Sequence, residues 1–136
     1  PGEPRGGVRM AQLAILSVGH EPAAAAIDSS QLTRMTMGDR SLEREVLQLF
    51  DRQAGLLLAR MYSGEPVAVA ALAHTLKGSA SSIGATAVVV AAAAVETAVG
   101  TIERTVALEQ LAVAIDEARA EIAGLLAASD DFDAKG

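Results

Sequence analysis

Apolar residues fall at three- and four-residue steps from about residue 27 almost to the C-terminus, the spacing of helices with one buried face. Ile27 to Met37 reads as a short helix with Asp28 or Ser29 as its cap, broken by Gly38-Asp39. Ser41 to Tyr62 predicts a long helix whose inner face carries Leu42, Val46, Leu49, Phe50, Gln53, Leu56 and Leu57, with Gly55 as a weak point. Ser63-Gly64 ends it, and Pro66 suits the first turn of the next helix. That helix runs to about Ile83 on a stripe of Val69, Leu72, Leu76, Ala80 and Ile83, and Gly84 fits the left-handed position that closes a helix.

Thr86 to Glu103 predicts a third long helix with Val88, Ala92, Val95, Val99 and Ile102 inward. Its run VVVAAAAV would also suit a strand, but its length and four alanines favour helix. Val106 to Leu126 is the cleanest pattern, repeating Leu108, Leu111, Ile115, Ala118, Ile122 and Leu125, and the tail SDDFDAKG is polar and expected to fray. The fold class expected is all-α: an antiparallel up-and-down four-helix bundle over residues 28–128, with a short additional N-terminal helix.

Residues 1–27 read as a flexible lead or linker, residues 129–136 as a polar tail, and a chain opening at Pro1 as a fragment or processed product. Met10 to Val18 is apolar but far shorter than the roughly 20 residues that span a bilayer, so no membrane insertion is expected. No small-residue cleavage site follows at the place a signal peptide requires. His20, in a GHEP setting, reads as incidental.

Composition narrows the picture further. Half the chain is apolar (51%), yet aromatics are 2% and tryptophan is absent, so Ala, Val, Leu and Ile must form a core of closely packed helices. With no cysteine there are neither disulfides nor thiolate metal sites. A net charge of −6 argues against nucleic acid as a partner. No P-loop or kinase-type nucleotide motif is present, nor a Glu-x-x-His pair of the di-iron kind.

The stretch AALAHTLKGSASSIGA, Ala70 to Ala85, carries the candidate chemistry. On a helix, His74 lies roughly 160° from the centre of the aliphatic stripe, ringed by Val67, Ala70, Ala71, Lys77, Gly78 and Ser81. A lone helical histidine is more often a solvated or hydrogen-bonded structural residue, and a helical glycine can serve close packing. Gly78, however, costs up to about 1 kcal/mol relative to Ala and leaves space for another molecule one turn after the ring. In an antiparallel hairpin turning at Gly84-Ala85, His74 and Glu96 stand eleven residues either side of Ala85. Each is then about 16 Å from the turn, at one height. Glu96 is the only acidic residue between Glu65 and Glu103. It is expected to reach the His74 ring, the alternative being a solvated carboxylate kept for solubility.

His74 to Ala85, HTLKGSASSIGA, resembles the signature of histidine-containing phosphotransfer (HPt) domains: His-x-apolar-Lys-Gly, with a second glycine six residues later. The likeness extends more loosely over about residues 28–128. It implies a phosphorelay intermediate without its own ATP site, accepting a phosphoryl group on His74 from a receiver-domain aspartate and passing it to another receiver. Similar domains carry Glu or Gln bonded to the histidine ring at the place of Glu96. Glu96 would orient the imidazole, Lys77 would place positive charge near the phosphoryl oxygens, and Val67, Ala70, Ala71, Gly78 and Ser81 would form the docking patch. Gly84 keeps a structural role. The implied partners are response-regulator receiver domains and a hybrid sensor histidine kinase, in the cytoplasm, with this chain a monomer. No cofactor is expected on it, and magnesium would belong to the receiver. Two other readings stay open: the phospho-accepting domain of a chemotaxis-type histidine kinase, and an unphosphorylated receiver-binding adaptor.

Overall fold

The computed structural model describes residues 25–135, with side chains to residue 128. The expectations for residues 1–24, including the flexible lead, Met10 to Val18 and His20, lie outside the described residues. Within them the chain is all-helical: α1 (Ser29–Thr36), α2 (Arg40–Ser63), α3 (Pro66–Ser82), α4 (Thr86–Thr97) and α5 (Thr101–Lys135).

Local chemistry places the ends. Asp28 caps α1, its Oδ1 accepting from the Ser30 and Gln31 amides at 3.0 and 3.2 Å. Asp39 caps α2 by accepting from Leu42 N–H at 3.0 Å, and Pro66 opens α3. Gly84 has φ +77°, the left-handed region open to glycine. A side chain there would also collide with Asp28, whose amide donates to the Gly84 carbonyl at 2.9 Å. One residue therefore closes α3 and seats the start of α1 against it.

The long helices close a ring. α2 packs on α3 and α5, and α4 packs on the same two, while the diagonal pairs stay further apart. Between them lie Ala54, Ala73, Ala80, Ala92 and Ala118, all fully buried. Alanine at these positions lets backbones approach to the short end of helix–helix spacing, which is how a core almost without aromatics fills its volume. Leu76, Val88, Val95, Leu111, Ile115 and Ile122 are buried in the same core. Ala26 and Ile27, at the end of the stretch read as a lead, belong to the packed body. Their amides donate to the Glu121 carboxylate at 2.7 and 3.3 Å, and Ile27 is buried.

Three expectations are corrected. On α2 the buried line is Leu47, Phe50, Ala54, Leu57 and Met61; Leu42, Leu49 and Leu56, expected inside, are exposed. The helix is flanked by two neighbours, and the line between them runs past small Ala54 rather than along the leucines. The helix after Gly84 stops at Thr97 and does not reach Glu103. Ala98 turns extended (φ −66°, ψ 132°), and Val99 and Ile102 stand outside the core. The break falls just before Gly100, a poor helix former, and α5 starts after it, the Arg104 amide donating to the Gly100 carbonyl at 2.9 Å. Finally, α5 does not end at Leu126 but continues to Lys135. No glycine or proline lies between Gly124 and Gly136 to stop it.

Candidate functional site

His74 sits in the middle of α3, between buried Ala73 and exposed Thr75, on the side away from the core. The stripe that buries Val69, Ala73, Leu76 and Ala80 forces it outward, and its side chain is 68% exposed. Glu96 is the penultimate residue of α4. Because α3 and α4 pack along each other, its Oε2 lies 2.9 Å from His74 Nδ1. Its second oxygen, Oε1, is closed to solvent and meets the Lys77 ammonium at 2.8 Å. One carboxylate thus holds both the imidazole and the lysine one turn further along α3.

Electrostatics set the protonation of this cluster. The Lys77 ammonium bonded to Glu96 holds the carboxyl below its ordinary value; partial burial opposes this, and the His74 hydrogen bond adds to it. An ionised carboxylate can only accept, so His74 Nδ1 carries the hydrogen. In the neutral ring the lone pair is then on Nε2, on a ring open to solvent.

The space beyond is clear. A Cβ built on Gly78 would meet nothing within 4 Å. Val67, Ala71 and Ser81 are exposed and Ala70 half-buried, on the same helix as His74. Lys77, expected beside an incoming anion, is engaged with Glu96. The structure adds two features that the spacing of residues did not reveal. Ser79 donates to Gln53 Oε1 at 3.1 Å, tying α3 to α2 beneath the site. The abrupt end of α4, one residue after Glu96, is the other; Gly100 was its only signal, hidden by Val99 and Ile102 keeping the helical step. Among the described residues no three His, Asp or Glu side chains cluster as metal ligands.

A family profile described as "Hpt domain" matches residues 40–130, two thirds of the chain. The chain belongs to the Hpt-domain family. Hpt domains act in histidine phosphotransfer in two-component signalling, and the match covers the helix that carries His74. Comparison with curated proteins and with solved structures gave no match. No helix among the described residues of the Hpt domain is long and apolar enough to cross a membrane.

Proposed function

We propose that this Hpt domain is a phosphorelay intermediate: His74 takes a phosphoryl group from a receiver-domain aspartate and yields it to another receiver. The observation that carries the reading is the open imidazole with its Nδ1 hydrogen held by Glu96 and nothing standing over Gly78. The lone pair on Nε2 attacks phosphorus in line. A nitrogen–phosphorus bond forms as the acyl phosphate oxygen–phosphorus bond breaks, and the receiver carboxylate leaves with the electron pair. The ring gains positive charge, which the Glu96 carboxylate stabilises through Nδ1–H. Lys77, one turn from the ring, adds positive charge toward the phosphoryl oxygens. Such transfer depends mainly on positioning and charge, and His74 is fixed by a helix rather than a loop.

In this reading residues 28–128 form an up-and-down antiparallel four-helix bundle, supported by the closed ring of helix contacts. The domain works as a single copy in the cytoplasm, fed from a hybrid sensor histidine kinase. Val67, Ala70, Ala71, Gly78 and Ser81 receive the partner, Gly84 holds the hairpin, and magnesium is bound by the receiver. The domain has no ATP site of its own.

His74→Gln tests the reading. The variant is expected to keep the wild-type circular dichroism spectrum and to take up no phosphoryl group from a phosphorylated receiver. Uptake undiminished by the substitution would refute the assignment.

A further inference from the structure

Exposed leucines scattered singly are ordinary on a protein surface. Those of α2 are not scattered. Leu42, Leu49 and Leu56 recur at every seventh residue and are 40%, 55% and 64% exposed. At 100° per residue they form one line, roughly 120° round the helix from the centre of its buried line. The line drifts by about 20° per heptad, the drift that two helices follow when they wrap left-handedly at a crossing near +20°. A seven-residue leucine repeat is a seam for another helix.

The charges beside the seam decide which helix. Glu45 stands three residues after Leu42, and Arg52 three after Leu49, so both lie about 60° to the same side of the line. Both are exposed. Neither has an opposite charge three or four residues away on α2, and neither makes an ion pair among the described residues. A second α2, set antiparallel on a two-fold axis level with Leu49, answers both features. Leu42 then faces the partner's Leu56, and Leu49 faces the partner's Leu49. Such an axis brings matching flanks together. Glu45 is four residues before the axis and Arg52 three after it, so Glu45 and the partner's Arg52 differ in height by about 1.5 Å. The symmetry repeats that pair on the other side of the axis. The face is therefore complementary to itself, in leucine and in charge.

We infer that the outer face of α2 is a self-association surface, occupied by α2 of a second copy of this chain. The seam from Leu42 to Leu56 is about 21 Å long, and one helix pair covers less than the standard interface of about 800 Å² per partner. The pairing is therefore reversible, with a Kd on the order of tens of micromolar. His74, Lys77 and Glu96 all belong to one chain, so each copy keeps a complete cluster and the acting unit in transfer stays the single copy. No residue of that cluster enters the inference, which stands or falls apart from the phosphorelay reading.

Sedimentation equilibrium of the full chain, from about 5 to about 500 µM, tests it. The mass is expected to rise from one chain to two across that range. Leu49→Asp should raise the Kd at least about tenfold while keeping the wild-type circular dichroism spectrum. Glu45→Arg and Arg52→Glu, each alone, should raise it at least about fivefold. The two together exchange the charges and should return the Kd to within about twofold of wild type. Val113→Asp, exposed on α5, should leave it unchanged. A folded wild type with the mass of one chain at every concentration would overturn the inference. So would a dimer indifferent to Leu49→Asp, which places the contact on another face, or a double exchange that restores nothing. A single-chain wild type whose binding to a purified receiver domain is weakened by Leu49→Asp would give the face to the receiver instead, and overturn self-pairing.

Discussion

At the scale of residues, one carboxylate organises the chemistry. Glu96 faces His74 with one oxygen and Lys77 with the other, so the three side chains act as a unit. Glu96→Ala is expected to slow phosphoryl transfer from a receiver about ten- to a hundredfold, by analogy with the loss of a carboxylate that orients a metal-bound histidine. An unchanged rate would take Glu96 out of the mechanism. The unit also has a pH signature. Because the folded value of Glu96 is lowered, its contribution to stability is full above the ordinary glutamate value of about 4.3. That contribution is lost as pH falls through the lower folded value. Carbon-13 NMR of the Glu96 carboxyl should place its titration below that of a glutamate in an unfolded peptide. Lys77→Met should move it up, since the lysine is the largest cause of the lowering.

At the scale of elements, the hairpin of α3 and α4 decides whether these residues meet. Gly84 is its closure, and Gly84→Ala is expected to destabilise the fold by more than about 1 kcal/mol, read as a lower urea midpoint. The left-handed backbone and the collision with Asp28 act in the same direction. The pairing of His74 with Glu96 was legible in the sequence, because equal spacing about Gly84-Ala85 fixes equal height in a hairpin. Where α4 stops was not. Val99 and Ile102 continue the helical step, and periodicity cannot distinguish a side chain that packs inward from one that only stands where the next turn would be. The inner face of α2 was misread for a related reason. Leu42, Leu49 and Leu56 carry more apolar surface than Ala54, but the fold placed the alanine between neighbours because it allows closer approach.

At the scale of the whole molecule, α2 and α5 are joined by an ion pair as well as by the core. The Arg119 guanidinium meets Asp51 at 2.9 Å and lies over Gly55, where a Cβ would strike it. The glycine that weakens α2 on its own makes room for this cross-link. The centre is less forgiving than the periphery. Ala92→Leu is expected to cost about 1–3 kcal/mol by overpacking, seen as a lower melting temperature, because Ala92 is fully buried in the core.

That alanine-rich core has a consequence for how the domain could signal. A relay by rearrangement needs side chains with two packed arrangements, and a buried methyl group has no rotamer to switch. Charged and uncharged forms of the domain should therefore superimpose along the whole main chain. What a partner reads is then the presence of the cargo on a tray that does not bend.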